Sequence, residues 1–224
     1  MDKVGHAFTT YQLGKYTLNA LSWSRCLDEK KKLTGCFSGL FYMAGVEVMD
    51  GFSKGWGFSW GDMGANLGGS GLCLLQELMW HEQRTQLKFS FRKTSFPNYR
   101  PELLGTKLGE QIIKDYNGQT YWMSFNLSSL LHLPKPFPSW LNLAMGYGAD
   151  GMTGGSQNIE ITDHEGKPLN FERKRQYYLS LDADLSKVKT KFNWLNNIFK
   201  AVNCLKFPFP SLELSEKKFK GNLF

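Results

Sequence analysis

The sequence predicts an α+β protein: a helical unit over residues 1–85, then a mainly β extension over 86–224 that packs on it, either as a second domain or within one. Two observations carry this reading. In the first 85 positions apolar residues recur at helical offsets, and from Leu87 onward most segments alternate apolar with polar residues. A third observation locates a site. Over residues 44–69, AGVEVMDGFSKGWGFSWGDMGANLGG, two apolar runs meet across a glycine- and aromatic-rich turn, with four polar groups at helical spacing.

Residues 3–24 read as a helix on the stripe Phe8, Tyr11, Leu18 and Leu21, with Asp2 as its N-terminal cap and His6 four residues on, on the same face. Residues 25–34 read as a charged loop. Residues 36–50 form a short, nearly all-apolar helix that carries Glu47 and Asp50 on one face, too short to span a bilayer. Ser59-Trp-Gly-Asp62 fits a capping box that starts a third helix running to about Trp80, with Asp62 and Asn66 on one face. Its four glycines between Met63 and Gln76 suggest close helix packing. Strands follow at Leu87–Phe89–Phe91 and Tyr121–Met123–Phe125–Leu127, separated by a helix over 102–115 that Asn117-Gly118 stops. Further alternation covers 141–148 and 177–186. A short helix near 194–202 precedes short strands at 212–214 and at the terminal Phe224. The domain boundary falls at 81–86, with no flexible linker to mark it.

At 42% hydrophobic and 21% charged residues the chain is globular, and 224 residues suffice for a real core. The net charge of +7 is concentrated late, at Lys187, Lys189, Lys191, Lys200, Lys206, Lys217, Lys218 and Lys220. No nucleic-acid motif accompanies it, which places an anionic lipid surface ahead of nucleic acid as partner. The mean hydropathy of −0.37 argues against several membrane spans. Cys26, Cys36, Cys73 and Cys204 lack zinc spacing; Cys26 and Cys36 flank one loop and can pair in an oxidising compartment, or all four remain thiols. Met1 is followed at once by Asp2-Lys3-Val4-Gly5-His6, with no room for a leader, so the expectation is either a cytoplasmic protein or sequence upstream, and an envelope location requires the second.

The polar groups form one pattern: Asp2-Lys3-x-x-His6, Glu47-x-x-Asp50 and Ser59-x-x-Asp62-x-x-x-Asn66-x-x-Gly69. It resembles the YfiM-like family of predicted periplasmic lipoproteins and, more distantly, the VanZ-like membrane proteins. In the VanZ-like pattern Gln stands where this chain has Asp50, as the YfiM-like branch does. Segments such as KDYNGQTYWMSFN and WLNLAMGYGADGM are similar to the longer YfiM-like proteins. The resemblance implies a periplasmic or outer-membrane-associated location and a lipidated or membrane-near N-terminus. It implies no activity, since the family has none established.

Three readings of the cluster follow from its residue types. His6, Glu47, Asp50 and Asp62 suit general acid/base chemistry, because crowded carboxylates raise one pKa. His6, Glu47 and Asp62 suit a divalent metal such as zinc or manganese. A structural network uses the same atoms: Asp2 and Asp62 as caps, Ser59 as capping partner, Lys3 as counter-ion, His6 bonded to Glu47, and Asn66 bonded to backbone. No cofactor is required by any motif. Gly146-x-Gly148-x-x-Gly151 matches a dinucleotide fingerprint but lacks a following helix, so a glycine-rich hairpin is expected there. His81-Glu82 lacks a second zinc-binding histidine, and His132 and His164 stand alone as surface or loop residues.

The functional expectation is a non-enzymatic envelope protein at a membrane or lipid surface. The alternative is a membrane-associated hydrolase of a lipid or envelope substrate acting through His6 and the carboxylates. The strands show outer-membrane-barrel features but are too few for a closed barrel, so an amphipathic sheet is expected against the helices or a membrane surface. Oligomeric state is left open by the sequence.

Overall fold

A computed structural model of the chain describes residues 1–26, 28–53, 57–155, 157–162, 167–216 and 218–223. The elements run α1 Asp2–Trp23, α2 Glu29–Gly51, α3 Trp60–Trp80, β1 Thr85–Phe91, α4 Pro101–Leu104, α5 Leu108–Lys114, β2 Gln119–Asn126, α6 Leu127–Leu131, β3 Leu141–Asp150, β4 Ile161–Thr162, β5 Pro168–Leu169, β6 Lys174–Ala183, α7 Asn193–Val202, β7 Pro210–Ser215 and β8 Lys218–Leu223. The fold is α+β as expected. The chain divides into two compact units, Met1–Leu87 with Lys189–Cys204, and Lys88–Val188 with Leu205–Phe224.

In the first unit α1, α2 and α3 pack on one another. The contacts are close because glycines remove side chains at the crossings. A Cβ on Gly69 would sit 2.1 Å from Ala7 O, and one on Gly39 would sit 2.3 Å from Thr10 O. Gly64, Gly68 and Gly71 of α3 meet nothing, so the expected glycine packing in that helix is carried by Gly69. The apolar core is small: Tyr11, Leu18, Cys36 and Cys73, with Leu72, Leu74 and Leu87 against it. Around it the buried groups are polar. Gln86 Oε1 accepts from Lys15 Nζ at 2.8 Å and from Asn203 Nδ2 at 2.7 Å, and Tyr16 donates to Ala201 O on α7 at 2.7 Å.

The second unit is built on a six-stranded antiparallel sheet in the order β1-β2-β3-β6-β7-β8, with a separate ribbon of β4 and β5. Its polarity is inverted. The register aligns Met123, Met145, Leu179 and Leu212 in one row, and Tyr121, Tyr147, Tyr177, Leu214 and Phe219 in the next. These rows lie on the outer face, where Met145, Leu179, Leu212 and Phe219 are 54%, 42%, 59% and 79% exposed. On the buried face the rows are Ser124, Ala144, Ser180 and Ser211, then Asn126, Asn142 and Asp182. A third buried row holds Trp122, Gly146, Tyr178 and Glu213; the Trp122 ring lies 2.8 Å from where a Cβ of Gly146 would stand.

Several expectations are corrected. The charged segment 25–34 is helical from Glu29, because Asp28 accepts the Lys31 N–H and starts α2 seven residues before Cys36. The helix expected over 102–115 is two pieces, broken where Gly105 takes a φ of 97°. The strand over 177–186 instead spans Lys174–Ala183, and Asp184 caps a 3-10 turn at Leu185–Lys187. Cys26 is exposed, whereas Cys36 is buried with its Sγ 3.5 Å from Cys73 Sγ, so Cys36 faces α3 and not Cys26. Lys206 is no surface charge: its side chain is fully buried. Gly151, at φ 73°, ends β3 against Glu172 O, and the glycine-rich segment leads through bends and the β4–β5 ribbon before β6 returns antiparallel to β3. His81 and His132 are left-handed C-caps of α3 and α6. His164, Lys217 and Phe224 lie outside the described residues.

Candidate functional site

The cluster sits within the first unit, where the first turns of α1 and α3 meet the last turn of α2. Helical spacing decides who meets whom. Asp2 and His6 share a face of α1, and Asp62, Asn66 and Ser70 recur every four residues along the buried face of α3. Glu47, 2% exposed, comes from α2.

His6 is the hub. Its Nδ1 lies 3.1 Å from Asn66 Oδ1 and 3.5 Å from Glu47 Oε1, and its Nε2 lies 3.9 Å from Asp2 Oδ1. The other oxygen of Glu47 accepts the Ser59 N–H at 3.2 Å. Lys3 Nζ donates to Asp62 Oδ1 at 2.8 Å. Ser59 Oγ accepts the Asp62 N–H at 3.3 Å. So the capping box is half realised. Ser59 caps α3, but its own N–H goes to Glu47, and the Asp62 carboxylate goes to Lys3. Burial pushes the Asp62 carboxyl up, but hydrogen bonds from Lys3 and Ser59 and the nearby His6 outweigh it and hold the group below the usual carboxylate range. The hydrogen bond to Asp62 raises the Lys3 ammonium in return.

The structure therefore gathers His6, Glu47, Asp62, Asn66, Asp2, Lys3 and Ser59. Asp50, one turn beyond Glu47, is half-buried and makes no hydrogen bond or ion pair to His6, Glu47 or Asp62. Asp2 is not a cap: Met1 holds that position without a side-chain bond, and Asp2 lies in the first turn. Asn66 bonds His6, not backbone. Asp2, His6 and Asp62 each present a ligand atom within 4.8 Å of the others, a set that could hold a metal ion and that contains Asp2 where the spacing suggests Glu47. The side toward Asp2 is open, with 56% of that side chain exposed against 14% for His6.

Sequence reasoning missed a second polar centre, in the second unit. Lys88 Nζ lies 2.8 Å from Asp182 Oδ2, and both are fully buried. Ser124 Oγ donates to the same carboxylate at 2.6 Å, Asn142 to Ser124 at 2.8 Å, and Asn126 to Asn142 at 2.7 Å. Lys206 Nζ donates to Leu181 O and Phe207 O and faces the Trp122 ring at 4.9 Å. The available signal was the charge within each strand, Lys88 between Leu87 and Phe89, and Asp182 between Leu181 and Ala183.

Residues 1–78 match a family described as predicted periplasmic lipoprotein (DUF2279). The match spans α1, α2 and nearly all of α3, hence every residue of the His6 cluster and none of the sheet. No curated protein and no solved structure matches the chain. The family description agrees with the envelope location that the motif implies, and no helix among the described residues is long and apolar enough to cross a membrane.

Proposed function

We propose that the protein is a non-enzymatic envelope protein that rests its apolar faces against an anionic membrane surface. One observation carries this: the strands bury their polar residues and display their apolar ones. Scattered exposed apolar residues are ordinary, but a contiguous apolar face backed by a polar interior is not. The outer rows described above form such a face across β2, β3, β6, β7 and β8. The alternation, apolar out and polar in, is the one that sheets facing lipid use. The helical unit shows the same inversion by itself. Phe41, Met49, Phe52, Trp60, Leu75 and Met79 are exposed, while Glu47, Asp62, Asn66, Ser70 and Gln76 are buried. The net charge of +7 and the exposed Lys189, Lys191, Lys200, Lys218 and Lys220 favour anionic head groups over a neutral apolar partner. The distant resemblance to VanZ-like proteins rests on the motif alone and adds nothing to this reading.

Co-sedimentation with vesicles of mixed anionic and zwitterionic lipid tests it. Binding is expected to weaken as salt rises and to persist in part at high salt, since salt screens charge but not apolar contact. Leu179→Asp with Leu212→Asp is expected to lower the vesicle-bound fraction at least tenfold. Absence of binding, or binding indifferent to the paired substitution, rejects the proposal.

A further inference from the structure

We propose that Asp2, His6 and Asp62 ligate one divalent metal ion, with zinc favoured by the donor set, and that Glu47 and Asn66 act as positioning residues behind His6. The argument starts from the protons. Glu47 Oε1 and Asn66 Oδ1 both face His6 Nδ1. Acceptors on that side place the imidazole proton on Nδ1. The Nε2 lone pair then points toward Asp2, 3.9 Å away, with Asp62 beside it. This nitrogen and one oxygen from each of the two carboxylates are donor atoms of the kind that a divalent metal takes. A carboxylate behind a histidine, fixing its tautomer for a metal in front, is a recurrent arrangement in metal sites.

The geometry has room for the ion. Atoms at most 4.8 Å apart share a central point no more than about 2.8 Å from each (4.8/√3), and zinc bonds to nitrogen and oxygen run at about 2.0–2.2 Å. A side-chain contraction of less than about 1 Å closes the difference. Lys3 competes for Asp62, but a carboxylate has two oxygens, and the Lys3 side chain is 60% exposed on a flexible stem.

Three protein ligands leave a zinc position open for an oxygen ligand, water or an anion.

Calorimetric titration of the full chain with Zn²⁺ and with Mn²⁺ tests the site, together with the absorption spectrum of the Co²⁺ form. One site per chain is expected, weakened at least 100-fold by His6→Gln and about 10- to 100-fold by Glu47→Gln. Lys3→Met should tighten binding by freeing Asp62. The Co²⁺ spectrum should lack a thiolate charge-transfer band, which distinguishes this site from binding at Cys26 or Cys204. The proposal fails if neither the native chain nor Lys3→Met shows saturable binding, if His6→Gln binds as well as the native chain, or if the thiolate band appears. Lys3→Met, at a largely exposed side chain, keeps the test open should His6→Gln fail to fold. In each failing case the cluster is a structural hydrogen-bond network only.

Discussion

Asp182 shows what one residue can hold together. Its two oxygens take Lys88, Ser124 and the Phe207 N–H, at 2.8, 2.6 and 3.0 Å, and Lys206 stands 3.9 Å off. Asp182→Ala leaves two ammonium groups buried without their counter-charge. Removing one partner of a buried pair costs about 3–5 kcal/mol, so this variant should lose at least that much in urea unfolding. The same crowding affects Lys206. Burial lowers its ammonium to about 8, Lys88 adds to the effect, and Asp182 opposes it. The unfolded chain holds this proton up to the ordinary lysine range, so between about pH 8 and 10.5 it binds more protons than the folded chain. Stability from this group therefore rises across that window and is flat below it. Lys206→Met should remove the rise, as read from unfolding free energies at pH 7.5, 9 and 10.

Among the elements, α3 separates two uses of glycine. Gly69→Ala drives a methyl into Ala7 O and Thr10 Oγ1, at 2.1 and 2.2 Å, and must push α1 away. A loss of about 1–3 kcal/mol is expected. Gly68→Ala meets nothing and should gain up to about 1 kcal/mol in helix propensity. Thermal unfolding of the pair decides whether α3 is held by close approach at one crossing. Helical period and capping chemistry made these elements legible in sequence. Ser59 marked the start of α3, and spacing of three and four placed Glu47, Asp62 and Asn66 on facing stripes. What spacing along one helix cannot give is rotation about the neighbour. Spacing therefore does not tell that Asp2 lies in the first turn on the Nε2 side of His6, with Glu47 on the Nδ1 side. The start of α2 was missed because its first turns carry lysines, whose helical preference hides behind their charge. Alternation located the strands but not their facing. A period of two says that the faces differ, and leaves open which one meets solvent.

For the whole molecule, the facing matters most. Both units display apolar side chains and bury polar ones, so in plain buffer the exposed rows should seek each other. Size-exclusion chromatography with light scattering is expected to show concentration-dependent association in buffer and a single monodisperse species in mild detergent. Monodisperse behaviour in both would mean that the outer rows are tolerated by water. The inverted sheet also bears on how the chain finds its register. A slip of one residue exchanges the two faces of a strand. In water, hydrophobic collapse rewards the slipped pairing, which hides Met123, Met145, Leu179 and Leu212. Against an apolar phase, the native pairing wins, since it hides Ser124, Asn142 and Asp182. The surroundings in which β2, β3 and β6 first zip together thus select the fold, and a chain that meets water first begins its search in a competing basin.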